Sequence, residues 1–221
     1  GSPGSQPENR EQWTVKGKRE NRPFSLFTVH CSPFTLLSSP NDLLSRRTDG
    51  TLWYYPGDGS GGYGSPTRAG GGWQIYNALI GVGNYDGDSR PDLLARHNDG
   101  SLWFYKGRGG ASFEPRVLVG TSGWNQFSDV IGVGDITGDG RRDLLTKRPD
   151  GIVYVYPGQG TGRAAPRVRI ADDWQDYAQL AAPQDFSGDG NADVIATKPD
   201  GSLWLLHGTG LAPALGMSFS R

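Results

Sequence analysis

The sequence predicts an all-β chain of many short strands, and three observations support this. Glycine and proline are abundant, at 35 and 15 of 221 residues, while aromatic residues still make up 11%. This combination is typical of a turn-rich folded chain and not of a disordered one. Short leucine-rich and aromatic runs alternate with turn residues, as strands do. No segment shows helical apolar periodicity of useful length.

A repeat of nearly constant length organises the chain. Four segments begin with an aspartate and share one plan, and their starting aspartates lie 50, 51 and 50 residues apart. They are DLLSRRTDGTLWYYPG (42–57), DLLARHNDGSLWFYKG (92–107), DLLTKRPDGIVYVYPG (143–158) and DVIATKPDGSLWLLHG (193–208). Four copies at this spacing indicate a repeat architecture.

Each repeat contains the same elements in the same order. A short apolar run and an acidic loop lead into a strand, which an Asp-Gly turn connects to an aromatic strand. Asp-Gly predicts a two-residue type I′ hairpin, because both residues accept a positive φ. A glycine-rich turn and a last short strand complete the unit. Four antiparallel strands per repeat predict one blade of a β-propeller. A β-sandwich is the alternative, and the fidelity of the repeat argues against it.

We therefore predict one propeller domain over residues 12–221, with about four or five blades, although the two ends alone cannot complete a fifth. Residues 1–11 are expected to be a tag or disordered, because Gly1–Ser5 resembles a cloning remnant. The predicted units are an orphan half-blade (12–29), a degenerate blade (30–70) and three blades with acidic loops (71–120, 121–170 and 171–221). Three alternatives stay open for the orphan strands. They cap a four-bladed ring, belong to a larger ring, or pair with a second copy.

Three matched acidic loops carry the clearest chemistry. They read NYDGDSRPD (84–92), DITGDGRRD (135–143) and DFSGDGNAD (185–193). Oxygen-bearing side chains fall at loop positions 1, 3, 5 and 9, and a carbonyl at position 7 can join them. Calcium prefers six to eight such oxygens. The candidate ligands are Asn84, Asp86, Asp88, Arg90, Asp92, Asp135, Thr137, Asp139, Arg141, Asp143, Asp185, Ser187, Asp189, Asn191 and Asp193.

The loops therefore predict up to three structural Ca²⁺ ions. The alternative is an Asx-type turn in which the carboxylates bind only the backbone of their own loop. An EF-hand does not fit, because a strand follows each loop and no glutamate stands at position 12. The degenerate blade keeps only Asp42 of this pattern and is expected to bind no metal.

These loops, with the signature DLL…DG.LW.Y.G, resemble the FG-GAP/VCBS-type repeats of integrin α-chain propellers and of secreted bacterial proteins. The resemblance covers roughly residues 26–220 and is closest to repeats that follow catalytic domains in secreted actinobacterial hydrolases. It implies a propeller with calcium in its blade loops, an extracellular location, and a role in adhesion or ligand binding. Fungal lectins of similar architecture bind sugars between blades.

A Trp-x-x-aromatic motif precedes each acidic loop. Aromatic faces stack on the apolar faces of sugars, and the neighbouring amides can bind hydroxyl groups, so the motif predicts ligand binding. The alternative is packing between neighbouring blades. The candidate residues are Trp73, Tyr76, Trp124, Phe127, Trp174 and Tyr177.

Charge and motifs exclude several other functions. With 22 basic and 23 acidic residues and scattered arginines, nucleic acid is not an expected partner. No apolar run reaches the roughly 20 residues of a membrane span. The single cysteine, Cys31, permits neither an intrachain disulfide nor a cysteine metal cluster. No catalytic residues are predicted, because hydrolase, zinc and phosphate-loop motifs are absent and the three histidines occupy unrelated repeat positions.

The sequence thus predicts a non-catalytic, secreted, calcium-binding propeller that acts as a lectin-like carbohydrate-binding module. Several equivalent pockets would gain avidity on a multivalent glycan surface. The alternative is a protein-interaction, adhesion or spacer propeller appended to a secreted hydrolase. The expected partners are carbohydrate or an extracellular protein, or a second copy of the chain through the orphan strands. The fold does not rank these functions, because propellers serve all of them.

Overall fold

A computed structural model describes residues 29–30, 42–60, 62–110, 112–210 and 219–220. The predicted tag, all of the orphan half-blade except Val29, and most of the C-terminal segment 211–221 lie outside the described residues. No helix in the described part is long and apolar enough to cross a membrane. Its helices are three single 3-10 turns, at Trp73–Ile75, Trp124–Gln126 and Trp174–Asp176.

Four four-stranded antiparallel sheets, called sheets 1 to 4 below, and one two-stranded sheet lie in the described residues. Sheet 1 contains β1 (Val29–His30), β2 (Leu43–Arg46), β3 (Leu52–Tyr55) and β4 (Thr67–Gly70). Sheet 2 contains β5 (Tyr76–Gly83), β6 (Asp92–His97), β7 (Leu102–Tyr105) and β10 (Val117–Gly120), and the two-stranded sheet contains β8 (Gly107–Gly109) and β9 (Ser112–Phe113).

Sheets 3 and 4 follow the same plan. Sheet 3 contains β11 (Asp129–Gly134), β12 (Asp143–Lys147), β13 (Val153–Tyr156) and β14 (Val168–Ala171). Sheet 4 contains β15 (Gln179–Gln184), β16 (Asp193–Thr197), β17 (Leu203–Gly208) and β18 (Phe219–Ser220). The first strands of successive sheets lie side by side, β5 against β11 and β11 against β15. The predicted all-β fold of four-stranded antiparallel units is confirmed.

The Asp-Gly turns connect the second and third strands of each sheet as predicted, but the predicted type I′ geometry is wrong. In the turn at 47–51, Gly50 has a φ of 80° and Asp49 does not enter the positive region. The Asp49 carboxylate instead accepts the N–H of Thr51 at 2.9 Å, a side-chain bond to the turn backbone that a type I′ turn does not need. Only the glycine is left-handed, as in the longer hairpin loops.

Hydrophobic clusters lie between successive sheets, and each contains the tryptophan of the following sheet. The side chain at the start of the third strand is buried in these clusters, with Leu52, Leu102 and Val153 only 0%, 2% and 0% exposed. They share their clusters with Trp73, Trp124 and Trp174 respectively. Burial of such side chains is the main stabilising term of the fold.

Sheet 4 has one face that no described residue covers. Leu203 occupies the repeat position of Leu102, yet it is 68% exposed. The next sheet's Asn125 lies close to Gly100, whereas nothing lies within 4 Å of a Cβ placed on Gly201, the equivalent glycine. In sheets 1, 2 and 3 the equivalent face packs against the sheet that follows in the chain.

Hydrogen bonds between sheets repeat along the chain. The Trp124 N–H donates to the carbonyl of Gly100 at 3.0 Å. Arg96 Nη1 donates to the carbonyls of Trp124 and Phe127, at 3.1 and 2.7 Å. The equivalent donors are Arg46, to Trp73 and Tyr76, and Lys147, to Tyr177. A cation near the end of the second strand in sheets 1, 2 and 3 thus binds backbone carbonyls of the next sheet.

Candidate metal loops and inter-sheet cavities

The aspartate at position 9 fixes the shape of each acidic loop. Asp143 is fully buried, and its Oδ2 accepts the N–H groups of Ile136 and Thr137, both at 3.0 Å. Its Oδ1 accepts the N–H of Gly158 at 2.7 Å. Asp92 and Asp193 accept the corresponding three N–H groups in their loops. Burial raises the pKa of Asp92 and of Asp143 to about 6, although their N–H donors act in the opposite direction.

The same anchor is present in sheet 1, where the acidic loop is missing. Asp42 Oδ1 accepts the N–H of Gly57 at 3.0 Å, and Oδ2 accepts the hydroxyl of Tyr54 at 2.7 Å. The degenerate repeat has therefore kept the aspartate that joins its second strand to the turn after its third. This bond forms part of the repeat with or without a metal ion.

The carboxylate at position 1 bends the loop around itself. Asp135 Oδ1 accepts the N–H groups of Gly138 and Asp139 at 2.7 and 3.1 Å, and Oδ2 accepts that of Gly140 at 2.7 Å. Asp185 makes the same three bonds in its loop. The Asx-turn interpretation therefore describes these backbone bonds well. A carboxylate has about four acceptor positions, so the same oxygens can still bind a cation.

Loop 135–143 fits a calcium ion by its donor set. The side chains at positions 1, 3 and 5 are Asp135, Thr137 and Asp139, all of which offer oxygen, the ligand that calcium prefers. Thr137 is buried, and its hydroxyl has no hydrogen-bond partner of acceptable geometry among the described residues. A buried hydroxyl without a partner is costly, and a cation bound to it would remove that cost. The Arg141 carbonyl completes the predicted set.

Loop 84–92 differs, because a lysine lies against its carboxylates. Lys106 Nζ forms ion pairs with Asp86 Oδ2 and, at 3.0 Å, with Asp88 Oδ2. Hydrogen bonds to these two carboxylates raise the pKa of Lys106. Asn84 Oδ1 accepts the N–H of Gly87, and Arg90 donates its N–H to Asp88. Sequence reasoning missed Lys106, although a lysine where the other repeats carry proline or histidine was a usable signal.

Loop 185–193 lies beside a histidine. His207 occupies the repeat position of Lys106 and Pro157, and its Nδ1 lies 3.9 Å from Asp193 Oδ1. One ligand atom each from Asp189, Asp193 and His207 lie within 4.8 Å of one another. Sequence reasoning assigned His207 no role, because no other repeat carries histidine there.

The predicted ligand-binding rings are packed between sheets. All six are buried: Trp73, Tyr76, Trp124, Phe127, Trp174 and Tyr177. The Trp73 ring lies 4.8 Å from that of Tyr105, and the Trp124 ring lies 4.9 Å from that of Tyr156, measured between centroids. The packing interpretation therefore describes their main contacts. Parts of Trp73, Tyr76 and Trp124 also line cavities.

The larger of these cavities lies next to the junction of sheets 1 and 2. Its volume is about 500 Å³, and its lining includes Trp73, Tyr76, Tyr105, Phe113, Ser112 and Glu114. The hydroxyls of Tyr76 and Tyr105 are 2.5 Å apart, and Arg116 donates to Tyr76. Aromatic walls and a few polar groups are thus brought together from three strands and a 3-10 turn.

A second cavity lies between sheets 2 and 3 and is more apolar. It has a volume of about 280 Å³ and is lined by Leu102, Trp124 and Tyr156, with Arg163 among the polar residues. Tyr85 also lines it, and the buried Tyr85 hydroxyl has no hydrogen-bond partner among the described residues. Burial raises the pKa of Tyr85, so this hydroxyl is neutral and can donate a hydrogen bond.

Comparison with known proteins identifies a repeat and a fold. Residues 84–146 match the model of the FG-GAP-like repeat, and this segment contains both loop 84–92 and loop 135–143. BP39L lectin from Burkholderia pseudomallei has a similar fold, with a TM-score of 0.51 at 19% identity. The chain therefore has a β-propeller fold that contains an FG-GAP-like repeat at residues 84–146. The resemblance stated from the sequence is thus confirmed.

The propeller spans about half of the lectin chain, since the match covers 75% of this chain and 48% of BP39L. A chain in the crystal structure of BBS1N in complex with ARL6DN, soaked with lead, is less similar. Its TM-score is 0.41 at 13% identity, over 83% of this chain and 54% of that chain. No curated protein sequence matches the propeller.

Proposed function

We propose that this FG-GAP-type propeller is a non-catalytic carbohydrate-binding module that works outside the cell and holds calcium in its acidic loops. The cavity beside sheets 1 and 2 carries the proposal, because it combines aromatic walls with polar groups. The similarity to BP39L lectin supports it at the level of the fold. This lining indicates a carbohydrate ligand but not which one.

The dimensions and lining of the cavity suit a small saccharide. Its volume of about 500 Å³ lies within the usual range of ligand sites. Trp73 and Tyr105 offer ring surface for the C–H face of a sugar, and Glu114 can accept hydrogen bonds from hydroxyl groups. The Glu114 side chain is 40% exposed, so a ligand can reach it.

Calcium would act on the loops and not on the sugar. In loop 135–143, Asp135, Thr137, Asp139 and the Arg141 carbonyl would hold the ion, while Asp143 keeps the backbone in position. When bound, the ion supplies positive charge that offsets the repulsion between the loop carboxylates. Sites of modest affinity fill where free calcium is high, which is the basis for proposing an extracellular location.

The test is a glycan-array screen of the full chain in calcium and again in chelator, followed by titration of the best saccharide. Replacing Glu114 with Gln should weaken binding about tenfold, because a hydrogen bond to a charged group contributes about 1.5–3 kcal/mol. The variant should keep the wild-type melting temperature. Asp150→Asn is the matched control, since Asp150 is an exposed acid in a hairpin turn remote from the cavity lining. Folded protein that binds no glycan in either condition contradicts the proposal.

Protein binding is the second candidate, and the uncovered face of sheet 4 favours it. Leu203 and Phe186 are 68% and 62% exposed there, whereas their repeat equivalents in sheets 2 and 3 are buried. The simplest occupant of this face is a second copy of the chain. A concentration series by light scattering should then show a dimer that Leu203→Ser dissociates. A monomer at all concentrations contradicts this candidate.

A further inference from the structure

We propose that the Lys106 ammonium is the resident cation of loop 84–92, so that this loop is ordered without calcium. Calcium would then bind only in loops whose repeat lacks this lysine, at most two of the three. The statement about calcium rests on the proposed function. The statement about Lys106 rests on its own contacts.

The contacts of Lys106 are those expected of a bound cation. Its Nζ pairs with both the position-3 and the position-5 carboxylates, Asp86 and Asp88. The Asp86 side chain is only 8% exposed, so its charge is largely removed from water and needs a partner. Asp86 and Asp88 also accept backbone N–H groups through their Oδ1 atoms, which leaves Oδ2 of each to face the ammonium.

The other repeats show what this position does when the lysine is absent. Loop 135–143 has Pro157 there, which carries no charge, and its buried Thr137 hydroxyl has no hydrogen-bond partner of acceptable geometry among the described residues. Loop 185–193 has His207, whose Nδ1 lies 3.9 Å from Asp193. In loop 84–92 one ammonium pairs with two loop carboxylates, whereas in loop 135–143 the exposed Arg141 guanidinium pairs with Asp139 alone, at 3.8 Å. A divalent ion placed beside this ammonium would be repelled by it, and more strongly in a half-buried site than in water.

Calorimetric calcium titration of the full chain measures the number of sites directly. Wild type should bind no more than two equivalents, and Lys106→Met should bind one more, since methionine keeps the apolar stem and removes the charge. Lys198→Met is the matched control, because Lys198 lies over the Trp204 ring and away from the acidic loops. If wild type binds calcium, an unchanged number of equivalents in Lys106→Met overturns the proposal.

Single carboxylate variants test the proposal without touching the lysine. Asp88→Asn should leave the calcium stoichiometry of wild type unchanged, because its loop holds no ion. Asp139→Asn, at the same position of loop 135–143, should remove one equivalent. Loss of one equivalent in Asp88→Asn would show that calcium and not Lys106 occupies loop 84–92.

Thermal unfolding in chelator separates this proposal from the calcium function. In chelator, Lys106→Met should lower the melting temperature by several degrees. Asp88→Asn should lower it less in the Lys106→Met background than in wild type, because the Lys106 and Asp88 side chains interact. This result would support the role of Lys106 even if the wild-type chain bound no calcium at all. An unchanged melting temperature for Lys106→Met in chelator would overturn it.

Discussion

The Asp143 carboxylate accepts a hydrogen bond of 2.7 Å from the N–H of Gly158, 15 residues further along the chain. The same pair recurs as Asp42–Gly57, Asp92–Gly107 and Asp193–Gly208, at 3.0, 2.8 and 3.2 Å. It joins the start of the second strand to the turn after the third, and it persists in sheet 1, where the acidic loop is missing. The aspartate is therefore a structural element of the repeat.

Replacing Asp143 with Asn should lower the free energy of unfolding by about 2 kcal/mol or more, since hydrogen bonds to a charged acceptor contribute about 1.5–3 kcal/mol each. The amide has one acceptor oxygen where the carboxylate has two, so at least one buried N–H loses its partner. Urea denaturation should show the loss equally in calcium and in chelator. Asp150→Asn, on an exposed turn, is the control. A loss confined to calcium-loaded protein would mean that Asp143 acts as a ligand.

The buried aspartates should make the calcium-free chain more stable in mild acid than at neutral pH. The pKa values of Asp92 and Asp143 are about 6 in the folded chain, against 3.8 for the ordinary group. Between these values the folded chain binds more protons than the unfolded chain, so stability rises as pH falls. Melting temperatures should increase from pH 7 to pH 5. A decrease over this interval contradicts the prediction.

Leu102 and Leu203 should respond very differently to the same substitution. Leu102→Ala removes a buried side chain between sheets 2 and 3 and should cost about 2–5 kcal/mol. Leu203→Ala changes a largely exposed side chain and should stay within about 0.5 kcal/mol. Urea denaturation of the pair measures the difference. Equal losses would show that a partner or another part of the chain covers sheet 4 in solution.

Arg96 should stabilise the junction of sheets 2 and 3 through the carbonyls of Trp124 and Phe127. Arg96→Met leaves these part-buried acceptors without the donor and should cost about 1–3 kcal/mol. Arg108→Met, which removes an exposed arginine, is the control and should change little. Thermal unfolding compares the two variants. Equal small effects would show that water replaces the guanidinium at no cost.

Features that depend on neighbouring residues could be predicted from the sequence, and side-chain contacts between residues far apart in the chain could not. The strands, the Asp-Gly turns and the acidic loops depend on neighbouring residues, and the structure contains all of them. The turn type was mistaken because the Asp49 side chain binds the backbone two residues on. Arg96 reaches carbonyls 28 and 31 residues away, and Lys106 reaches Asp86 across 20 residues. No local pattern indicates such contacts, and only a comparison between repeats marks Lys106 as unusual.

The aromatic motif shows the same limit. The spacing of Trp124 and Phe127 indicated a repeated feature, but packing and ligand binding require the same residue types. Only the position of the ring in the fold distinguishes the two roles. Trp124 is buried against Tyr156 and still contributes to the lining of a cavity. Substituting this tryptophan would alter both properties together.

The bonds from Arg46, Arg96 and Lys147 to the next sheet couple the described sheets as nearest neighbours, as in a repeat array. In such an array the free energy of local opening depends on how many neighbours a unit has. Sheets 2 and 3 each have a described sheet on both sides, whereas sheet 4 has one and carries Thr197 where the others carry a cation. Amide exchange should therefore be graded along the chain, fastest in sheet 4, with loop 185–193 opening before loop 135–143.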